Sequence, residues 1–181
     1  MAYIPLTWTN LVNVDTFPNA NDLRKISGVP NVYDAGAVSA EQIASAIADA
    51  GIRFSIQNGA AGGEGVGLTA DNPDQDWQTI DYCLMQWADG LPSIAVYENG
   101  TMMWSADLVI YSQYQISVNA LGQIEFWETE FNTLLYTSLT APSFPLFAKG
   151  SIDIYGTRIT GAQINTLVAA YVDHLMMMGV H

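Results

Sequence analysis

The sequence predicts an all-β protein, an antiparallel two-sheet sandwich followed by a C-terminal amphipathic helix. Strand-like runs recur at intervals of roughly eight to twelve residues with turn signals between them, a pattern typical of sandwiches. The Asn99-Gly100 pair between two apolar runs indicates a hairpin, because Asn and Gly tolerate the positive φ of a type I′ turn. After Ile164 the apolar residues fall at spacings of three and four, which is the helical period.

The length and composition of the chain predict one globular domain. The chain has 181 residues, of which 50% are hydrophobic and 13% are charged, so it can bury a core and does not resemble a disordered chain. Five Lys and Arg stand against 18 Asp and Glu, a net charge of −13. Nucleic-acid phosphates and anionic membrane surfaces would repel such a chain, and we expect neither as a partner.

The scarcity of Cys and His argues against redox and metal chemistry. Cys83 is the only cysteine, so an internal disulfide is impossible, and its apolar surroundings predict a core residue. With two histidines, His174 and His181, we expect no metal site, no cofactor and no nucleophile–base pair. The start of the chain lacks a basic segment followed by an apolar one, so no signal peptide is expected.

The first elements in chain order are short. Trp8, Leu11 and Val12 form an apolar group, and residues 23–26 are a strand candidate. Residues 32–38 look extended.

The sequence of residues 39–50 is compatible with two structures. Ser39 followed by Gln42 is a capping-box pattern, and Ile43, Ala46 and Ile47 have helical spacing, which together predict a helix. The alternative is a strand over residues 37–44 with a turn after it.

The next segments alternate between strand and loop patterns. Residues 52–56 alternate apolar and polar side chains, and residues 80–87 are apolar and strand-like. The glycine-rich residues 59–67 predict a loop, and without a following Lys they do not match a phosphate-binding loop. Asp71, Asp74 and Asp76 could hold a hard cation such as calcium, but their spacing favours a solvated acidic loop.

Residues 92–137 predict an antiparallel meander of three or four strands. Its turns are expected at Asn99-Gly100, at Leu121-Gly122 and at residues 130–132. Residues 142–145 then predict a loop that enters an edge strand at Leu146, because proline cannot donate a hydrogen bond to a ladder.

The end of the chain predicts an amphipathic helix in a docking segment, residues 161–181, after a sandwich over residues 1–160. Methionine is common at adaptable protein-binding surfaces, so the apolar stripe is a candidate for contact with another chain. The alternative is that the helix covers the sandwich of its own chain. The candidate docking residues are Leu167, Tyr171, Leu175, Met176 and Met178.

These strand and turn motifs resemble the concanavalin-like and SPRY-like jelly-roll modules of phage virion proteins, tail fibres and bacterial surface proteins. The resemblance covers residues 6–160 and implies a jelly-roll sandwich, with residues 37–44 as a strand. Residues 130–133 depart from it, because such modules usually have a second Asn-Gly turn there. The matching segments are residues 34–39 with 42–43, residues 80–82, residues 96–100, residues 134–138 and residues 145–146.

Three classes of function follow. A glycosidase would need paired carboxylates in a cleft; Glu125, Glu128 and Glu130 fit a solvated charge run better, so we expect no enzyme. A carbohydrate-binding module of a tail or spike protein would use aromatic rings as sugar platforms. The candidate platforms are Trp77, Trp87, Trp104 and Trp127.

The favoured class is a non-enzymatic virion structural protein. The resemblance, the lack of a catalytic set and the added helix suggest a capsid decoration or cement protein of a tailed phage. Such a protein would lie on the capsid surface, self-associate as a homotrimer at three-fold positions and contact the major capsid protein.

Overall fold

The computed structural model describes residues 3–57, 63–71, 74–87, 93–107, 113–153 and 157–166. Within these ranges a 3₁₀ turn spans Trp77–Thr79, and no helix is long and apolar enough to cross a membrane. In chain order the strands are β1 (Ile4–Pro5), β2 (Trp8–Val12), β3 (Val14–Asp15), β4 (Leu23–Lys25), β5 (Ala35–Ile43), β6 (Gly51–Gln57), β7 (Gly63–Thr69), β8 (Tyr82–Trp87), β9 (Ser93–Glu98), β10 (Thr101–Asp107), β11 (Gln113–Val118), β12 (Ile124–Glu128), β13 (Thr133–Thr137), β14 (Leu146–Ile152) and β15 (Arg158–Asn165).

The strands form two antiparallel sheets, as predicted. One sheet has seven strands in the order β10-β9-β8-β7-β14-β5-β2. The other has eight, in the order β13-β12-β11-β6-β15-β4-β3, with β1 paired to β15. The predicted short strand at residues 23–26 is β4, and the predicted strand at residues 52–56 is β6.

Alternating side chains from the two sheets meet between them and form the core. Tyr114 and Phe126 of the eight-stranded sheet and Leu68 and Leu84 of the seven-stranded sheet have no solvent exposure. Burial of apolar surface of this kind is the main favourable term in folding. Because strand side chains alternate between faces, the residues between these core positions lie on the outer faces of the sheets.

Strand β5 decides between the two structures open for residues 39–50. It pairs with β14 on one side and with β2 on the other. Its Ala35, Ala37 and Ile43 side chains are buried in the core. Pairing on both sides therefore overrides the local helix preference, and the strand alternative is confirmed with a start two residues earlier.

The prediction of a loop over residues 59–67 is wrong from residue 63 onward, because these residues form the buried strand β7. Its glycines allow other parts of the chain to approach closely. A Cβ on Gly65 would lie 2.8 Å from the Cβ of Trp77, and one on Gly67 would overlap the carbonyl oxygen of Tyr82. Glycine here marks close packing of the backbone in a strand rather than a turn.

The meander prediction is correct for the hairpins β9–β10, β11–β12 and β12–β13, but it is wrong in placing them in one sheet. β9 and β10 belong to the seven-stranded sheet, whereas β11, β12 and β13 belong to the other sheet. Asn99 and Gly100 have φ values of 49° and 74°, which confirms the predicted hairpin turn. Local sequence reports a hairpin, but which sheet the hairpin joins depends on long-range pairing.

β14 is a central strand, so the edge-strand prediction for Leu146 is wrong. It pairs with β7 on one side and with β5 on the other. Pro145 precedes the first strand residue and therefore removes no hydrogen bond from either ladder.

The last described strand corrects the start of the predicted helical segment. β15 runs from Arg158 to Asn165 and pairs with β6 through its last residue, so residues 161–165 belong to a strand. The apolar side chains of Ala162 and Ile164 point into the core, which accounts for the apolar spacing there. The candidate docking residues Leu167, Tyr171, Leu175, Met176 and Met178 lie outside the described residues.

The acidic segment after β7 lies beside a buried cation. The Nζ of Lys149 donates to Thr79 Oγ1 and lies 3.9 Å from a carboxylate oxygen of Asp74. Burial lowers the pKa of Lys149, and the nearby carboxylates oppose this effect. Lys149 offsets part of the charge that suggested a cation site, and the described residues hold no group of three His, Cys, Asp or Glu side chains that could bind a metal.

Candidate functional site

A row of polar side chains and one indole crosses the outer face of the eight-stranded sheet. The register places Trp127 of β12 opposite Gln115 of β11, Gln115 opposite Arg53 of β6, and Arg53 opposite Gln163 of β15. The neighbours of these residues along each strand are buried in the core, so the row faces outward. Four strands distant in sequence thus build one surface.

The row lies in a groove, here called the sheet groove. Its main part has a volume of about 380 Å³, and an adjoining part of about 240 Å³ shares Arg53, Gln113 and Thr129 with it. The adjoining part extends to Gln163 and to Gly161, where no atom lies within 4 Å of the position that a Cβ would take. The main part is lined by Asp49, Arg53, Gln115, Glu125, Trp127 and Asn132, among other residues.

Hydrogen bonds between side chains fix the polar groups of the sheet groove. Arg53 Nε donates to Gln115 Oε1 at 2.7 Å, and Gln115 Nε2 donates to Ser117 Oγ at 2.9 Å. Trp127 Nε1 donates to Glu125 Oε2 at 3.0 Å, which holds the indole at the edge of the groove. A surface whose donors and acceptors are already oriented loses less entropy when a ligand binds.

Tyr3 holds Arg53 from the side of β1. The guanidinium carbon of Arg53 lies 4.3 Å from the centre of the Tyr3 ring, within the range of a cation–π contact. Burial raises the pKa of Tyr3, although Arg53 opposes the shift. Arg53 is therefore positioned by an aromatic ring as well as by an amide.

Trp77 and Trp87 belong to a second apolar cluster on the outer face of the seven-stranded sheet. They surround Tyr97, with ring centres 4.6 Å and 6.0 Å from it and edge-to-face geometry. The cluster also includes Cys83, whose predicted burial is confirmed. Trp77 and Trp87 thus pack against Tyr97 and the buried side chains of this cluster.

Trp104 is placed differently from Trp127. It lies on β10 and packs against the core between the sheets. Of the four tryptophans predicted as sugar platforms, Trp127 is the one among the residues that line the sheet groove. Sequence reasoning missed Arg53, Gln115 and Gln163. The alternation of residues 52–56 and 113–117 was the available signal for the outward direction of Arg53 and Gln115.

The three glutamates considered as a catalytic set are not brought together. Glu125 faces the sheet groove, whereas Glu128 is buried and accepts hydrogen bonds from the backbone N–H groups of Glu130 and Phe131. Glu128 therefore serves the turn that follows β12. This is the arrangement of a capped turn. Because side chains alternate along a strand, Glu125 and Glu128 lie on opposite faces of β12.

The fold belongs to the concanavalin-like and SPRY-like jelly-roll class, as the sequence resemblance predicted. The chain is similar to the crystal structure of the TRIM65 PSpry domain, with a TM-score of 0.59, 12% identity and coverage of 90% of each chain. It is also similar to the carbohydrate recognition domain of Emp46p (Y131F mutant), with a TM-score of 0.57, 12% identity and coverage of 88% of each chain.

A third solved structure gives the same result. The carbohydrate recognition domain of Emp47p has a TM-score of 0.56, 8% identity and coverage of 91% of each chain. Likeness at these identities establishes the fold alone. No protein-family model matches the sequence, and a search of curated proteins finds no match.

Proposed function

We propose that this chain is a non-enzymatic carbohydrate-binding module that holds a short oligosaccharide in the sheet groove. The observation that carries the proposal is the row of Trp127, Gln115, Arg53 and Gln163 across one open sheet face. Two of the similar structures are carbohydrate recognition domains, which agrees with this reading at the level of the fold.

The chemistry of the groove suits a sugar. An indole offers an apolar face to the C–H groups of a sugar ring, and Trp127 is only partly buried. Hydroxyl groups both donate and accept, and the amides of Gln115, Gln163 and Asn132 supply both functions. A small number of placed polar groups beside an aromatic surface is the usual composition of a ligand site.

Replacing Trp127 with alanine should weaken oligosaccharide binding at least tenfold, because the stacking surface is lost; tenfold corresponds to about 1.4 kcal/mol. A glycan array followed by calorimetric titration of the best ligand measures the change. Met102→Ala is the matched control, because Met102 is 56% exposed on an edge strand of the other sheet. Trp127→Phe should retain most of the affinity. Equal binding by the Trp127→Ala variant and the wild type would rule out the groove as the site.

A second candidate function is the capsid decoration or cement role in a tailed-phage virion, as a homotrimer on the major capsid protein. One observation favours a protein contact: Ile26, Val29 and Val32 are 51%, 56% and 45% exposed. Lys25 Nζ donates to the backbone carbonyls of Val29 and Val32, each at 2.8 Å, so the backbone that carries these side chains is held in place. Exposed apolar patches commonly mark interaction sites.

We expect the triple variant Ile26→Ser, Val29→Ser, Val32→Ser to lower the occupancy of the chain on purified capsids if this second role holds. Wild-type protein should sediment as a trimer, and electron microscopy of decorated particles measures occupancy. Met102→Ser serves as the control for loss of an exposed apolar side chain elsewhere. Full occupancy by the triple variant, or a monomeric wild type, would contradict the role.

A further inference from the structure

The sheet groove is lined by more acidic than basic side chains. Among the described residues, Asp49 and Glu125 contribute two carboxylates to its lining and Arg53 contributes the single cation, which gives a formal net charge of minus one. The whole chain carries a formal net charge of −13, which adds a general repulsion of anionic ligands to this local excess of carboxylates.

The positive charge of Arg53 is partly committed to the protein. Its Nε donates to Gln115, and its guanidinium stacks on Tyr3 with 4.3 Å between the guanidinium carbon and the ring centre. A bidentate grip on a ligand carboxylate that uses Nε would have to break the bond to Gln115.

The hydrogen-bond partners of Glu125 do not neutralise its negative charge. Glu125 accepts from Trp127 Nε1 at 3.0 Å and from Asn119 Nδ2 at 3.1 Å, and both donors are uncharged. Asp49 also lines the groove and is exposed. A carboxylate brought into the groove by a ligand would be the third there and would meet two like charges.

We infer that the sheet groove selects uncharged oligosaccharides and rejects acidic sugars, and that Asp49 and Glu125 are the specificity-determining residues. The inference rests on the proposed carbohydrate-binding function. Rejection by like charge is a common route to specificity, because an unfavourable contact with the wrong ligand discriminates as well as a favourable contact with the right one. The discrimination should weaken as salt screens the exposed charges.

The test compares neutral hexose trisaccharides with the uronic acid trisaccharides of the same linkage and ring stereochemistry, titrated into the full chain by calorimetry. We expect the wild type to bind a neutral trisaccharide at least tenfold more tightly than its uronate counterpart at low ionic strength. At high ionic strength the ratio should fall, with the affinity for the neutral ligand nearly constant.

Two variants separate the roles of the carboxylates. Asp49→Asn should raise the affinity for the uronate at least threefold, and Asn tolerates the positive φ of 69° at this position. The double variant with Glu125→Gln changes the formal charge of the groove from minus one to plus one, so it should raise that affinity further and reverse its salt dependence, with added salt now weakening uronate binding.

The outcomes distinguish this inference from the function on which it rests. Tighter or equal binding of the uronate by the wild type would overturn the inference and leave the proposed function in place. Unchanged uronate affinity in both variants would also overturn it, since the carboxylates would then not select. Failure of the wild type to bind either class would overturn the proposed function and the inference together.

Discussion

Lys25→Met should lower the free energy of unfolding by about 3 kcal/mol, because the substitution leaves the carbonyl acceptors around the buried Lys25 without their donor. Lys25 is 2% exposed, and its Nζ lies 2.6 Å from Asp34 Oδ1 and 2.8–2.9 Å from the carbonyl oxygens of Val29, Val32 and Asp153, so its three N–H groups are shared among four acceptors. Methionine has similar length but no donor, so buried acceptors would lose their partner.

The Lys25→Met substitution should cost more stability because the contacts of Lys25 reach distant parts of the chain. They join β4 to the segment that leads into β5 and to the end of β14, so one side chain holds three parts of the chain together. Burial tends to raise the pKa of Asp34, but the hydrogen bond from Lys25 and other contacts bring it below its usual value. The ion pair therefore favours the folded state.

Urea denaturation at neutral pH measures the change. The control is Arg24→Met, at the neighbouring position of the same strand, where the ion pair with Asp15 is partly exposed. Such surface pairs contribute little, so this variant should lose much less stability. Equal losses in the two variants would show that Lys25 does not hold the fold together in this way.

Gly67→Ala should destabilise the protein by about 3 kcal/mol or more, at the upper end of the cost of overpacking. The added Cβ would overlap the carbonyl oxygen of Tyr82 and lie 2.6 Å from Cγ2 of Ile80. The register pairs Gly67 with Cys83 and Leu68 with Tyr82, so the backbone that would have to move is held in the β7–β8 ladder.

Thermal unfolding of Gly67→Ala and Gly161→Ala provides the comparison. Gly161 has a φ of +60° and no atom within 4 Å of its Cβ position, so its replacement should cost only the left-handed backbone strain, about 1 kcal/mol. A smaller effect at Gly67 than at Gly161 would mean that β7 can shift to accept a side chain.

The edges of the sheets bear on how copies of this chain could associate. Three of the edge strands, β10, β13 and β2, each show a register shift against their neighbour. Bulges at edges reduce strand-to-strand pairing between molecules. Self-association, which the cement role requires, would therefore use side-chain surfaces such as that of Ile26, Val29 and Val32.

The sequence by itself determined the features that depend on near neighbours. The Asn99-Gly100 turn follows from the φ values these residues tolerate, and strand β6 follows from the alternation of residues 52–56. The burial of Cys83 and the all-β class follow from similar local patterns. Such signals lie within a few residues of the structure they specify.

Only the tertiary structure decided which strands meet. Gly67 looks like loop sequence until the backbone of Tyr82 is placed against it, and Leu146 follows a proline yet begins a central strand because β5 and β7 pair on its two sides. The sheet groove has the same origin: Arg53, Gln115 and Trp127 become neighbours through ladder register between strands far apart in the chain. Strand register depends on many pairings between distant segments, and a local sequence pattern does not specify which segments pair.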